Sequence, residues 1–342
     1  MTRRIPAKRS RLQTGTSRLR VGSLTARPPT LHLSTLLICI IYRKKPHHLI
    51  CFKEWTSDMV LEIINSAINL KCRHTDTHGL CLDTLKGSNI LLLEEGHEPF
   101  VSMAVCKAAQ ILGATNTHIM YHLEWETDYV GKVFSSLADL IFVLTSTHWC
   151  LQRLADQSSV PVMCMRSRSH ATIQAMATVM TIYEEFGSMR DLNIAWLGHA
   201  HPVLNSYLLL CPMLMANVKF KCGTKTKQFS PLLLKASEQI ADESHTTAIS
   251  CDDKADLLLN AAVIISGPHS EDKDEKQDFT LSAKEIDQYT KCNWIYFHTF
   301  PRGKEIPDEL FLNQRSRSFV AFNNMQFIAA ALMLKGIKGS SF

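Results

Sequence analysis

Short apolar runs of strand length alternate with amphipathic helical patterns along most of this chain. The run from Asn89 to Leu93 is typical of a strand buried on both faces of a parallel sheet. Helical periodicity precedes it between Met59 and Leu70 and follows it from Val101 to Leu112. Because parallel strands need crossover connections, this alternation predicts an α/β fold with right-handed connections.

A long helix predicted at residues 171–186 divides the pattern into two halves. The other predicted strands cover residues 117–121, 140–144, 160–165, 193–198, 218–220, 263–265 and 294–298. The other predicted helices cover residues 129–137, 149–157, 203–216, 231–241 and 327–334. The 342 residues, 46% of them hydrophobic, suffice for two cores. We therefore expect two doubly wound parallel-sheet domains, 49–185 and 186–324, joined by this interdomain helix, with a C-terminal helix at 325–338 that packs back on the first domain.

The first 48 residues form a basic leader. Residues 1–50 contain eleven Lys or Arg and no Asp or Glu, and subtracting them from 37 basic residues leaves 26 against 32 acidic ones, a net −6. An acid-free leader rich in Arg, Ser and Thr is typical of a mitochondrial transit peptide, which predicts the mitochondrial matrix, and a disordered basic tail on a cytoplasmic protein is the alternative.

Composition also argues against several kinds of partner. The mildly acidic body does not predict nucleic-acid binding. The apolar run from Leu31 to Ile41 is about half of the ~20 residues that a membrane span needs, so no membrane partner is expected. The eleven cysteines contain no Cys-x-x-Cys spacing, which favours reduced, buried thiols over a metal site or disulfide framework. We expect neither a metal nor an organic cofactor.

One polar segment stands out, namely His298-Thr299-Phe300-Pro301-Arg302 after an apolar run. It resembles the His-Cys-Leu-Pro-Arg loop at the reaction centre of the transcarbamylases, most closely that of the ornithine carbamoyltransferases. Thr299 stands at the cysteine position and Phe300 at the leucine position. Similar segments occur in the same order between about Leu49 and Ile337, at residues 53–56, 135–139, 155–161, 173–174, 193–198 and 298–311.

The resemblance implies a transcarbamylase-like fold and a reaction. Ornithine carbamoyltransferases transfer a carbamoyl group from carbamoyl phosphate to the δ-amine of ornithine, which gives citrulline in arginine metabolism and the urea cycle. The resemblance also implies a trimer with active sites between subunits, in which the first domain binds carbamoyl phosphate and the second binds ornithine.

The carbamoyl-phosphate region departs from the family pattern. The family places a Ser-Thr-Arg-Thr-Arg turn at a helix N-terminus, where amides, hydroxyls and guanidinium groups bind the phosphate. The matching residues are Glu98, Pro99, Phe100, Val101 and Ser102, and no Arg or Lys occurs between Lys86 and Lys107. A carboxylate ~4 Å from a phosphate charge costs ~4 kcal/mol at an effective dielectric of ~20.

Three further contacts to carbamoyl phosphate are altered as well. A second arginine of the family matches Leu144, the histidine of its His-Pro-x-Gln segment matches Ala171, and a C-terminal arginine matches Met325. Gln174 keeps the glutamine of that segment, whose role in the family is to polarise the carbamoyl oxygen. His170 lies one residue early, and we expect an exposed loop histidine there.

The amino-acid region is degenerate too. An Asn-Asn pair that binds the ornithine carboxylate in the family falls where this chain has Pro202 and its neighbours. The family's Asp-x-Trp-x-Ser-Met-Gly is represented by Gly267 to Ser270, so the aspartate and tryptophan are missing. The hydroxyl of Thr299 lacks the charge of a thiolate. For Arg302 we therefore expect a local partner such as Glu305 or Asp308.

Three functions are compatible with these residues. The first is an inactive homologue, a pseudoenzyme with a binding, structural or regulatory role that binds carbamoyl phosphate or ornithine weakly and forms a homotrimer or a hetero-assembly with an active paralogue. The second is an active mitochondrial ornithine carbamoyltransferase. The third is an α/β enzyme with an altered substrate, which would use His199, His201, His269 and His298, but we expect these to be scattered surface histidines.

Overall fold

The computed structural model describes residues 46–96, 98–120, 129–223, 229–268, 279–290, 292–303 and 306–339. Most of the predicted leader therefore lies outside the described residues, as do His269, Ser270 and Glu305. His48 is described, and its Nδ1 accepts a 3.1 Å hydrogen bond from the backbone N–H of Val162. The packed chain thus extends at least one residue before position 49.

The first sheet consists of four parallel strands in the order β2-β1-β3-β4. Their bounds are β1 (Asn89–Glu94), β2 (Thr115–Met120), β3 (Leu140–Leu144) and β4 (Val162–Arg166). Alternate residues of β1 enter two different hydrophobic clusters, with Ile90 and Leu92 in one and Leu91 and Leu93 in the other. Both faces of β1 are thus buried, which explains its unbroken apolar sequence.

The second sheet has five parallel strands in the order β7-β6-β5-β8-β9. Their bounds are β5 (Asn193–Leu197), β6 (Asn217–Lys221), β7 (Ala248–Ser250), β8 (Val263–Ser266) and β9 (Ile295–His298). In the first sheet β1 lies between β2 and β3, and in the second sheet β5 lies between β6 and β8, so in each sheet strands are added on both sides of the first one. This arrangement confirms the predicted doubly wound α/β fold, whose ligand sites lie outside the carboxyl ends of the strands.

Eleven α-helices, counted among the described residues, connect and cover these strands, and a 3-10 helix at Phe52–Glu54 precedes them. They are α1 (Ser57–Asp76), α2 (Pro99–Ile111), α3 (Val130–Leu137), α4 (His148–Gln157), α5 (Thr172–Phe186), α6 (Pro202–Met213), α7 (Pro231–Ser244), α8 (Lys254–Leu258), α9 (Ala283–Tyr289), α10 (Asp308–Phe311) and α11 (Ser318–Lys338). Thr56 caps α1, because its Oγ1 accepts a 3.3 Å hydrogen bond from the N–H of Met59. Gly187 ends α5 in the left-handed conformation, with φ at +74°.

The C-terminal helix α11 begins at Ser318, seven residues before the predicted start at 325. It packs against α1, α2 and α5. Asn324, fully buried, donates from Nδ2 to Thr181 Oγ1 at 2.9 Å and to Glu184 Oε2 at 2.8 Å on α5. By length and composition alone α11 could cross a membrane, but 61% of its apolar window is buried in these contacts, as in the core helix of a globular protein.

Candidate functional site

A narrow crevice lies where segments that follow the strands of the two sheets meet. Phe100 lies in the first turn of α2 after β1, Arg166 ends β4, and Phe300 follows β9. All three line one cavity together with Gln174 of α5 and Phe322 of α11. We refer to this region as the crevice. It lies where a doubly wound protein binds its ligand.

The second-sheet side of the crevice is the turn after β9. His298 is 3% exposed, and its backbone N–H donates a 2.9 Å hydrogen bond to Ser318 Oγ at the start of α11. The backbone N–H and the Oγ1 of Thr299 both donate to the carbonyl of Ser266 at the end of β8, at 2.9 and 3.1 Å. The Thr299 hydroxyl therefore bridges two neighbouring strands.

Arg302 bonds to residues a few positions along the chain. Its Nη2 donates to the carbonyl of Ile306 at 2.8 Å and forms an ion pair with Asp308. Its guanidinium carbon lies 4.5 Å from the centre of the Phe311 ring, a cation–π contact. The expected local partner is thus Asp308. All three contacts stabilise the loop itself.

The first-sheet side of the crevice begins with α2. Glu98 is the N-cap residue of α2, and Pro99 is its first helical residue. Val101 and Ser102 are buried, and Ser102 Oγ donates to Glu94 Oε2 at 2.8 Å. The hydroxyl of Ser102 is therefore engaged by a carboxylate.

Arg166 is the residue that sequence reasoning missed. It lies opposite Leu144 in the sheet, across a register shift between β3 and β4, and its guanidinium forms an ion pair with Glu98. Burial lowers the pKa of Arg166. The signal that could have found it is its position, because Arg166 directly follows the strand predicted at 160–165, and a side chain at the carboxyl end of a parallel strand reaches the ligand edge of the sheet.

The other positions matched to carbamoyl-phosphate contacts of the family are three buried apolar residues and Gln174. Leu144 is 5% exposed, Ala171 1% and Met325 3%. Gln174 lines the cavity described above and also a second cavity of the crevice, whose lining includes His298 and Thr299. Of these four side chains, it alone offers hydrogen-bonding atoms to the crevice.

Aromatic side chains fill the space between the two sides. The rings of Phe300 and Phe322 are 4.2 Å apart between centroids, and Phe100 lies 5.7 Å from Phe300. The two cavities that remain have volumes of about 10 and 20 Å³. A single water molecule needs ~10–15 Å³, so the crevice has room for little more than one or two waters.

The histidines differ from the expectation of scattered surface groups. His170, His201 and His298 are 7%, 7% and 3% exposed, so the exposed placement predicted for His170 and the surface placement predicted for His201 and His298 are wrong. His170 is buried because the loop before α5 packs on α6, where Ser206 Oγ lies 3.4 Å from its Nδ1. His199 is half-buried, and His269 lies outside the described residues.

Burial lowers the pKa of both His170 and His201 to about 3. Nearby His148 adds to the effect on His170, and Arg166 and His298 add to the effect on His201. His201 caps α6, since its Nδ1 accepts a 3.3 Å hydrogen bond from the N–H of Val203. Both rings are therefore neutral at pH 7 and hold local structure.

The amino-acid region supports the backbone of the second sheet. Pro202 is the first residue of α6. A Cβ on Gly267 would lie 2.3 Å from the Trp196 ring, and one on Gly198 would lie 2.8 Å from Gly267. The two glycines thus allow close approach of the segments that follow β5 and β8, and Ser270 lies outside the described residues.

A much larger cavity than those of the crevice lies elsewhere. A groove of about 820 Å³ runs between α2 and β2, and its lining includes Glu94, Cys106 and His118. His118 Nε2 lies 2.6 Å from Glu94 Oε2. Across the described part of the chain, no group of three or more His, Cys, Asp or Glu side chains is arranged to hold a metal ion.

Comparison with known proteins gives a family match for the second half of the chain and structural matches for most of its length. Residues 190–335 match the family described as "Aspartate/ornithine carbamoyltransferase, Asp/Orn binding domain". Ornithine transcarbamylase, mitochondrial, of Gallus gallus is 25% identical over 308 residues, which cover 85% of this chain and 85% of that protein.

Two solved structures have the same fold. Ornithine carbamoyltransferase from Pyrococcus furiosus aligns with a TM-score of 0.80 at 19% identity and covers 86% of this chain and 98% of that one. A mitochondrial ornithine carbamoyltransferase from Coccidioides immitis aligns with a TM-score of 0.79 at 20% identity and covers 87% and 100%. At these identities the structures establish the fold alone.

Proposed function

We propose that this chain, which belongs to the aspartate/ornithine carbamoyltransferase family, is a catalytically inactive member that keeps the family's fold. The observation that carries this proposal is the filled crevice. Phe100, Phe300 and Phe322 leave cavities of about 10 and 20 Å³ where the resemblance predicts carbamoyl phosphate. A dianionic substrate has no room there, and the guanidinium groups near the crevice already form ion pairs with carboxylates.

The charges of the crevice support the same proposal. Two guanidinium groups are close to it, and both are engaged, Arg166 by Glu98 and Arg302 by Asp308. Each lost charge-assisted hydrogen bond to a phosphate removes ~1.5–3 kcal/mol of binding. Stabilisation of the transition state falls by the same interactions, because carbamoyl transfer develops negative charge on the leaving phosphate. Any binding of carbamoyl phosphate or ornithine is therefore weak.

The role that remains is assembly, as a homotrimer or together with an active paralogue. Three large apolar side chains near the start of α2 and the end of β2 are exposed to solvent, Phe100 by 51%, Met103 by 68% and Met120 by 58%. Exposed apolar groups of this kind are typical of protein interfaces. Contact with another subunit on this side of the first sheet would bury them.

The mitochondrial matrix is the proposed location. The relative from Gallus gallus is named as a mitochondrial protein, and residues 1–50 have the composition of a transit peptide. We keep the division into a leader, a first domain at 49–185 and a second at 186–324 as part of this proposal, and it is supported by the position of one sheet in each interval.

A citrulline assay tests the loss of activity. The purified chain is incubated with carbamoyl phosphate and ornithine beside an active ornithine carbamoyltransferase at equal concentration. We expect citrulline at the level of a protein-free blank. Turnover near that of the active enzyme would contradict the proposal and favour the alternative, an active ornithine carbamoyltransferase.

Co-expression tests the assembly role. The chain and an active ornithine carbamoyltransferase carry different tags, and native mass spectrometry counts the subunits of each kind after tandem purification. We expect trimers of the chain alone or mixed trimers. A monomer in both preparations would contradict the proposed assembly and leave the loss of activity unaffected.

A further inference from the structure

Residues 48–55 lie between the basic leader and α1, and we refer to them as the N-terminal strap. The strap pairs with β4 through its backbone. The N–H of Leu49 donates to the carbonyl of Val162 at 2.9 Å, and the N–H of Cys164 donates to the carbonyl of Leu49 at 2.7 Å. Because β4 is the last strand on that side of the first sheet, the strap covers an edge whose backbone groups would otherwise lack these partners.

Side chains hold the strap in place as well. Leu49 and Phe52 are fully buried, and Trp55 is 7% exposed. The indole N–H of Trp55 donates a 3.0 Å hydrogen bond to the carbonyl of His48, so the two ends of the strap are joined. The 3-10 helix at Phe52–Glu54 packs against α6, the helix that follows the first strand of the second sheet. The strap therefore contacts elements from both halves of the chain.

The sequence before the strap has a different character. The run from Leu31 to Ile41 is rich in leucine and isoleucine and contains no charged residue. A run of this composition promotes aggregation unless other parts of a protein bury it. Residues 45–342 form one compact unit, which begins after this run. The folded protein would therefore be more soluble without the run from Leu31 to Ile41.

These two requirements define a window for proteolytic processing. A cut after Ile41 removes the apolar run, and a cut before His48 leaves the strap complete. The window between them contains three consecutive basic residues, Arg43, Lys44 and Lys45. A protease can select such side chains through a pocket of complementary charge.

We propose that an endoprotease specific for basic residues removes the leader by hydrolysing one peptide bond between residues 42 and 48. Water supplies the hydroxyl of the new carboxyl group and a hydrogen of the new amine. The mature chain then begins at one of residues 43–48 and keeps the whole strap. The inference rests on the proposed mitochondrial location, and it adds where the leader ends and which segment has to remain.

Import of the full chain into isolated mitochondria tests the cleavage window. The chain carries a C-terminal tag, and the intact mass of the recovered product gives its first residue. Wild type is compared with a variant that lacks the three charges of the window, Arg43→Gln/Lys44→Gln/Lys45→Gln. The matched control removes three charges from the leader outside the window, Arg3→Gln/Arg4→Gln/Lys8→Gln.

We expect wild type and the control to give a product that begins within residues 43–48. The variant without charges in the window should give at least about tenfold less of that product per imported chain, since a lost charge-assisted contact to the protease lowers recognition by that factor or more. Normalising to the imported chain separates cleavage from import, because both variants carry the same reduced leader charge.

The structural part of the inference is tested without mitochondria. Leu49→Ala is compared with Leu80→Ala in the purified full chain, since Leu49 is fully buried in the strap and Leu80 is 68% exposed. We expect the melting temperature to fall by about 5 °C or more in Leu49→Ala and by less than about 2 °C in Leu80→Ala. If Leu49→Ala does not fold, Leu49→Val serves instead and should still melt below wild type.

Three results would overturn the inference. They are an imported wild type that begins at Leu49 or later, an imported wild type that keeps the run from Leu31 to Ile41, and a Leu49→Ala variant as stable as Leu80→Ala. Wild type that does not enter mitochondria would refute the proposed location and the cleavage together. A cut outside the window refutes the inference and leaves the location standing.

Discussion

The two sides of the crevice differ in how their polar groups are used. On the second-sheet side, His298 and Thr299 are tied by hydrogen bonds to α11 and β8, and Arg302 is tied to its own loop. On the first-sheet side, the positions matched to phosphate ligands are apolar, except for Glu98 and Ser102, which bind other protein groups. Residues that resemble the family's motif persist where they also hold the fold.

Under the proposed function, this difference explains why the segment from His298 to Arg302 does not by itself indicate activity. The turn after β9 is required for packing, because its backbone links the second sheet to α11. Loss of those links would leave buried donors unsatisfied, at ~1–3 kcal/mol each. A residue whose single role is to bind a substrate carries no such cost when it is replaced.

The largest effect is expected at Gly267, on the second-sheet side. Gly267→Ala would place a Cβ 2.3 Å from the Trp196 ring, which is fully buried. We expect a loss of ~3 kcal/mol in the free energy of unfolding, measured by urea denaturation. Gly87→Ala is the control, since no atom lies within 4 Å of its Cβ and only its φ of +87° opposes the change. Equal losses in both variants would argue against tight packing at Gly267.

Removing an aromatic ring from the crevice should open space without restoring activity. Phe322→Ala deletes a half-buried ring that contacts Phe300 and Phe100. We expect a loss of about 2 kcal/mol in unfolding free energy and citrulline still at blank level, because no cation is added. Phe319→Ala, at a side chain that is 56% exposed on the same helix, is the stability control. Citrulline above the blank in Phe322→Ala would show that bulk alone blocks the site.

Ser318 tests the anchoring of the retained turn. Ser318→Ala removes the acceptor of the His298 backbone N–H, so a buried donor is left without that bond. We expect a loss of about 1–2 kcal/mol. Ser136→Ala, which removes an exposed hydroxyl bonded to Val133, should cost less than half as much in the same urea titration. A neutral Ser318→Ala would mean that the turn does not depend on α11.

The smallest effect is expected from the buried histidines as pH falls. The folded-state pKa of His201 is about 3, below the usual ~6.5 of an unfolded chain, so the unfolded state takes up the proton first. The contribution of His201 to stability is constant above about pH 7 and falls as pH drops from 6.5 toward 3, by on the order of 1 kcal/mol at pH 6. His201→Gln should flatten this slope, measured by urea midpoints at several pH values. His47→Gln, at an exposed position, should leave it unchanged.

The fold could be predicted from the sequence because its strands and long helices carry strong periodicity. Four short elements were not predicted, because three to seven residues are too few to show a period. They are β7, α8, α9 and α10. The early start of α11 was missed because Ser318 to Asn324 is not uniformly apolar, although Asn324 is buried through its hydrogen bonds.

The site was predictable in position and only partly in chemistry. The matched segments include Glu98, Phe100, Gln174 and Phe300, which line the crevice, but not Arg166 or Phe322. The ion pair of Glu98 with Arg166 joins positions 68 residues apart, which spacing along the chain cannot reveal. The burial of His170 follows from packing against α6, another long-range contact. The domain limits, the leader and the roles of the site residues stay predictions.

Direct binding of a bisubstrate phosphonate, in which a phosphonate is joined to ornithine, tests the central claim that the crevice is closed to substrates. Isothermal titration calorimetry on the wild-type chain should show no binding heat at millimolar ligand, while an active ornithine carbamoyltransferase binds in the same buffer. Stoichiometric binding to wild type, abolished by Arg166→Gln or Arg302→Gln, would contradict the claim. Such a result would mean that Phe100, Phe300 and Phe322 move aside and that the crevice is a working substrate site.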